Sequence, residues 1–174
     1  MKPDLYWVTE LDPFRIGIAS RPRGDEWLVD EILGLQREGV ACVVSLLESQ
    51  EIAEFKLERE GALCAAHRIK FRSFPIPDRG VPSNPLQFFA LADEIARDVR
   101  ECRAGAIHCR AGIGRSALLA GVVLLRLGID RAQVFPMLSR ARGLSVPDTA
   151  EQAAWFLATP ALRANEPADV GKCA

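Results

Sequence analysis

The segment Ala106-Ile107-His108-Cys109-Arg110-Ala111-Gly112-Ile113-Gly114-Arg115-Ser116 constrains this chain more than any other. An apolar run ends in a cysteine, a short stretch with two glycines follows, and an arginine and a serine open the uncharged run from Ala117 to Leu125. That run is about half the ~20 residues a bilayer span requires, so it reads as a buried core helix. An apolar strand passing through a glycine turn into a buried helix is a unit of layered α/β folds. In such folds ligands gather beyond the carboxyl ends of the strands.

The rest of the chain fits that frame. Apolar runs at Leu5–Val8, Phe14–Ala19, Val40–Leu47, Ile69–Ile76 and Gly105–Cys109 predict strands, and helical patterns alternate with them. A helix from about Asp25 carries Leu28, Ile32 and Leu35 on one face and stops at Gly39. A second is predicted from Gln50 to Glu60, ended by Gly61. Ser83-Asn84-Pro85 supplies a polar cap and a first-turn proline, and Phe88, Leu91, Ala92, Ile95, Val99 and Cys102 then recur at helical spacing. Helices over Arg115–Leu127 and Asp130–Ala141 follow, the latter kinked at Pro136. The last starts near Pro147-Asp148, where Asp148 and Glu151 have capping-box spacing. The expectation is a single α/β domain over residues 1–160, with a central mixed, mostly parallel sheet flanked by helices, and a loosely ordered tail at 161–174.

Composition narrows the possible roles. The 174 residues are 49% hydrophobic and 26% charged, as in an ordinary globular protein large enough to bury a core without metal or disulfide staples. Twenty-two basic and 23 acidic residues give a net charge of −1, which lacks the broad positive field of a nucleic-acid or anionic-membrane binder. The cysteines at 42, 64, 102, 109 and 173 match neither zinc spacing nor a disulfide framework. Reduced thiols, a cytoplasmic location, a monomer, and no metal or other cofactor are therefore expected. Met1-Lys2-Pro3-Asp4 leads into no continuous apolar run, so no signal peptide is predicted.

The loop carries the chemistry. Glycines permit torsions that turn successive N–H groups inward to form an anion-binding concavity, and a helix N-terminus adds donors and a positive dipole. Arg115 can grip two phosphate oxygens with its planar fork. The same surroundings favour a thiolate at Cys109, seated where a phosphoryl group would bind, which is an arrangement for nucleophilic attack on phosphorus. A structural cysteine at a strand end is the simpler reading, but it leaves Gly112, Gly114, Arg115 and Ser116 without explanation.

His108-Cys109 followed by five residues and Arg115-Ser116 resembles the signature loop of the protein tyrosine phosphatases, in particular their compact dual-specificity branch. Ser73-Phe74-Pro75-Ile76-Pro77-Asp78 resembles the segment bearing that family's general acid, and Val146 to Gln152 resembles the segment supplying a water-positioning glutamine. The resemblance implies a metal-independent phosphomonoester hydrolase acting on phosphotyrosine, and on phosphoserine or phosphothreonine, in a phosphorylated protein or peptide. Cys109 would be the nucleophile, with Arg115 and the backbone of Arg110, Ala111, Gly112, Ile113 and Gly114 binding phosphate. Asp78 would be the general acid, and Ser116 would donate to the sulfur. Gln152 would orient water, and His108 would support the loop by hydrogen bonding to backbone.

Three rivals remain at this stage. Phosphoinositide-directed relatives usually place lysines in the loop, whereas this one has only Arg110 between Cys109 and Arg115. The overall charge disfavours an RNA 5′-phosphate substrate, and a phospho-binding module without turnover typically lacks the cysteine or the arginine. Arg79 and Arg110 are candidate rim contacts, whereas Arg140 and Arg142 read as solvated. Cys42, Cys64 and Cys102 are expected in the core, where one of them could trap an oxidised Cys109.

Overall fold

The computed structural model describes residues 3–160 apart from position 12; the expected tail at 161–174 lies outside the described residues. Strands β1 (Leu5–Trp7), β2 (Ile16–Ala19), β3 (Val40–Ser45), β4 (Lys70–Ser73) and β5 (Ala104–His108) form one sheet in the order β1-β2-β5-β3-β4. Only the β1–β2 pair is antiparallel; β2–β5, β5–β3 and β3–β4 are parallel. The expected mixed, mostly parallel sheet is therefore present, and β5 lies at its centre.

Helices cover both faces. Against one pack α1 (Leu28–Arg37) and α3 (Glu60–Ala66), whose Leu28, Ile32, Leu35 and Cys64 meet Val40, Val43 and Ala106. Against the other pack α4 (Pro85–Arg100), α5 (Arg115–Arg126), α6 (Arg131–Arg142) and α7 (Ala150–Ala158). Ten consecutive residues of α5, Arg115 to Leu124, are buried; the apolar run from Ala117 requires this, whereas Arg115 and Ser116 are buried polar groups at its start. Phe88 of α4 fixes the contact with α7: it is fully buried, with ring centroids 5.6 Å from Phe74 and 5.4 Å from Trp155, both edge-on. Truncating it to alanine would cost about 3–5 kcal/mol.

Several sequence expectations are corrected. The helix expected from Gln50 to Glu60 is two helices, α2 (Ser49–Glu54) and α3. The chain reverses between them through Lys56, at φ +55°, which lets Leu57 enter the core. Gly61 does not end a helix but lies inside α3, where a Cβ would come within 3.0 Å of the Phe71 ring; small size, not termination, is what the position requires. The cap of α7 is Thr149, whose Oγ1 accepts from Gln152 N, so the capping box is Thr149 and Gln152, one residue away from the expected Asp148 and Glu151. Cys102 is exposed rather than in the core, at φ +60° in the turn after α4. Cys42, Cys64 and Cys109 are free and buried.

Candidate active site

Pleat geometry sorts the end of β5. Side chains alternate across a strand, so Ala106 and His108 face α1 and α3, while Ile107 and the following Cys109 face the larger core on the other side. The chain then turns through Arg110 to Gly114 into α5. Gly112 has φ +68°, and a Cβ there would stand 2.6 Å from the Ala19 carbonyl, so both conformation and space demand glycine. At Gly114, the N-cap of α5, a Cβ would strike the Gln152 amide at 2.7 and 2.8 Å. With no side chain at the cap, the helix start is left open toward the loop. The outer side of the loop is tied down: Arg21 N donates to Arg110 O (3.3 Å), and Ala111 O accepts from Ser20 Oγ (3.5 Å) and Arg142 Nη2 (3.2 Å).

Arg115 opens α5 and is buried, and its guanidinium is held on every side. Nη1 and Nη2 donate to the two Glu51 carboxylate oxygens at 2.6 and 2.8 Å, a bidentate pair. Nη1 also donates to Ile76 O at 3.0 Å, and Nη2 donates to Asp78 Oδ1 at 2.9 Å. Burial works against its charge, but Glu51, the Cys109 sulfur and Asp78 outweigh that and hold the guanidinium above its ordinary value. Burial likewise opposes the Glu51 charge, yet the Arg115 hydrogen bonds and the Glu48 backbone N–H keep its carboxyl below the usual range.

Asp78 sits on a turn in which Gly80 N donates to Pro77 O at 2.9 Å and Arg79 adopts φ +58°. Its side chain is 47% exposed, at the lip of a cleft. Its backbone N–H donates to Glu48 Oε2 at 3.2 Å, and Glu48 is the N-cap residue of α2. That short helix thus presents one carboxylate to the Asp78 backbone and another to the arginine. Gln152, fully buried, joins the same turn from α7: Nε2 donates to Gly80 O at 2.9 Å, and Oε1 accepts from Thr149 N at 3.3 Å.

The cleft has a volume of about 250 Å³, and Cys109, Arg115, Asp78, Gln152, Ala111 and Ile113 are among its lining. The sequence-predicted residues Cys109, Arg110, Ala111, Ile113, Gly114, Arg115, Asp78 and Gln152 thus converge on one space. The Cys109 thiol donates to Ser116 Oγ at 3.5 Å. At the rim, Arg110 stacks over Phe55, 5.0 Å from the ring centroid, and Arg79 lies 3.5 Å from Asp148 Oδ2. His108 is the exception. Its ring points away from the loop to the α1–α3 face, with Nε2 3.0 Å from Glu60 Oε1, so the expected hydrogen bond to loop backbone is absent. Glu51, Glu48 and Arg142 were not foreseen in these positions. Only the three-residue Glu48–Glu51 spacing of a capping box was there to suggest the first two.

The family model described as Cyclin-dependent kinase inhibitor 3 (CDKN3) matches residues 29–134, the stretch that contains Glu48, Glu51, Asp78 and the whole loop. The chain belongs to the CDKN3 family. This is a dual-specificity phosphatase branch, with structural neighbours across the protein tyrosine phosphatase superfamily. Cyclin-dependent kinase inhibitor 3 of Rattus norvegicus is 28% identical over 120 residues, 68% of this chain and 56% of the rat protein, so this CDKN3-family chain spans little more than half of that relative. Among solved structures, kinase associated phosphatase (KAP), with serine substituted for its catalytic-site cysteine, has a TM-score of 0.80 at 20% identity, covering 90% of this chain and 93% of its own. Tk-PTP in its active form has a TM-score of 0.70 at 24% identity, covering 90% and 95%. At those identities the two structures establish the fold.

Proposed function

We propose that this CDKN3-family chain is a metal-independent phosphomonoester hydrolase, acting on phosphotyrosine and on phosphoserine or phosphothreonine in protein or peptide substrates. The observation that carries the reading is the guanidinium of Arg115, buried and aimed by Glu51 at the space where Cys109 and Asp78 meet. An arginine fixed before substrate arrives stabilises transferring phosphoryl oxygens without reorganising, which is most of what phosphoryl transfer requires of a protein.

The reaction follows from the placement. Cys109 gives up its thiol proton to solvent and attacks phosphorus as the thiolate; the S–P bond forms as the ester P–O bond breaks, and the leaving oxygen takes a proton from Asp78, which has taken it up from solvent. Water, oriented by the Gln152 amide, then attacks phosphorus and returns a proton to Asp78, while the S–P bond breaks and inorganic phosphate leaves. Ser116 serves this second step: its hydroxyl, which accepts from the thiol in the resting site, reverses to donate to the departing sulfur. Backbone N–H groups of Arg110 to Arg115 cradle the equatorial oxygens.

The Asp78–Arg115 contact supplies a timing device. Arg115 Nη2 is occupied by Asp78 Oδ1 in the resting site, so a phosphate that takes that donor displaces the carboxylate. Displaced from its cation, the Asp78 side chain is free to turn toward the leaving oxygen. The test is hydrolysis of a chromogenic aryl phosphate in the presence of a chelator, with vanadate as inhibitor, for the wild type and Cys109→Ser. Turnover is expected only in the wild type. Equal turnover in both, or phosphate binding without turnover in either, overturns the reading.

A further inference from the structure

The larger of the cavities near β5 is not the catalytic cleft. On the α1–α3 face lies a cavity of about 370 Å³, whose polar lining is Glu60, His108, Glu31, Asp4, Arg21 and Arg23 and whose apolar walls include Leu35, Val43 and Ala106. The Arg21 guanidinium is turned over the Phe55 ring, 3.9 Å from its centroid, and so leaves the cavity's carboxylates in excess. Glu31 is satisfied: Arg23 Nε donates to its Oε1 at 2.6 Å. Glu60 and His108 are not. Both are almost wholly buried, 2% and 3% exposed, yet Glu60 Oε1 and both ring nitrogens of His108 lack a hydrogen-bond partner. Nε2 approaches Oε1 to 3.0 Å, but without the alignment that a hydrogen bond requires. Among the described residues no lysine or arginine pairs with Glu60. A buried carboxylate and imidazole left unsatisfied cost about 1–3 kcal/mol each, so two facing one cavity call for an explanation.

Three occupants can be weighed. Among the described residues no three His, Cys, Asp or Glu side chains gather closely enough to hold a metal ion. Water satisfies the polar lining, and an organic ligand would in addition cover the apolar surface of Leu35, Val43 and Ala106 that water leaves unpaired. A ligand with an apolar body and a cationic head fits both ends, in a volume usual for small-molecule sites. We propose that this cavity binds a small organic cation of the amidine or guanidine type. Its N–H groups donate to Glu60 and to the unprotonated nitrogen of His108, and its body lies against Leu35, Val43 and Ala106. The site is separated from Cys109 by the thickness of β5 and does not depend on the hydrolase reading.

Benzamidine is the probe, with benzoate as the isosteric anion. The full chain is titrated with each in saturating inorganic phosphate, following backbone amide resonances by NMR. Benzamidine is expected to give saturable shifts at Leu35, Val43, Ala106 and His108 at roughly millimolar concentration, as befits a ligand this small. Benzoate should give none, and Glu60→Gln should weaken benzamidine binding at least about tenfold, the loss expected when a charge-assisted contact goes. Equal shifts with both probes, no saturable shift with benzamidine in the wild type, or undiminished binding in a folded Glu60→Gln protein would each overturn the proposal. The first two outcomes need no variant. Phosphate binding at the Cys109 loop is read from the Gly112 and Gly114 amides in the same spectra, so failure at one site is distinguishable from failure at the other.

Discussion

Two cysteine–arginine pairs contribute to the same hydrophobic core, and they have opposite characters. At Cys42 on β3, Arg72 Nη1 donates directly to the sulfur at 2.6 Å, while Nη2 donates to Asp98 Oδ2 at 2.7 Å. Asp98 is further held by Arg103 at 2.6 Å, so the cluster is closed on itself. Burial still pushes the Cys42 thiol up, with the Arg72 charge only partly offsetting it. At Cys109 the arginine is anchored by Glu51 instead and shares with the sulfur a cleft in which an oxyanion could bridge them. Proximity to a guanidinium is therefore not what makes a nucleophilic site. The difference lies in the glycine loop, the uncapped helix start, and an arginine anchored by groups other than the thiol.

That contrast predicts a hierarchy. Cys109→Ser should lower aryl phosphate turnover on the order of 10⁴–10⁶-fold, the scale seen when a covalent nucleophile is lost. Cys42→Ser should leave turnover within roughly threefold of wild type, since no step runs through it; a comparable loss in both would erase the distinction between the pairs. Arg115→Lys should cost about 10²–10³ in kcat because the bidentate fork is gone, whereas Arg72→Lys should change stability but not kcat. For Asp78→Ala the expected loss is about 10²-fold on alkyl phosphates and much less on aryl esters with good leaving groups. Equal slowing across leaving groups would reassign Asp78 to structure.

The smallest effects concern stability and pH. Glu51→Gln removes the charge opposite buried Arg115 and should cost about 3 kcal/mol in chemical denaturation, as expected for half of a buried ion pair. Glu51 and Asp98 both have carboxyls held below their ordinary values, by Arg115 and by Arg72 with Arg103, against the opposing effect of burial. A folded value below the unfolded one, near 4, means these pairs stabilise the protein above that pH. The contribution is lost as pH falls through the depressed folded values. Glu51→Gln and Asp98→Asn should each flatten the fall in stability below about pH 4, measured as denaturation midpoint against pH.

Much of this architecture is legible in the sequence. The alternation of apolar runs and helical patterns gives all five strands to within a few residues, and Asn84 caps α4 as its Ser-Asn-Pro motif requires, with Oδ1 accepting from Gln87 N at 3.2 Å. The loop is legible because glycine, cysteine and arginine at fixed spacing have few other uses together. What stays hidden depends on partners distant in the chain. Glu51 lies 64 positions from Arg115, and on a short helix its charge reads as a solvated face. Gly61 looks like a helix stop until Phe71 of β4 is placed against it. His108 could have been placed from the period of two in β5, which puts it on the side opposite Cys109.

Helix α2 is only six residues long, yet the backbone of the Asp78 turn and the guanidinium both hang from it, through Glu48 and Glu51. Anyone grafting the 77–80 turn from a relative to retune leaving-group preference would be moving half a part. Under the proposed mechanism the unit to transfer is a discontinuous one, residues 48–51 together with 77–80 and Arg115, which contacts both, and chimeras that respect that grouping should keep Asp78 aligned where single-segment swaps lose it.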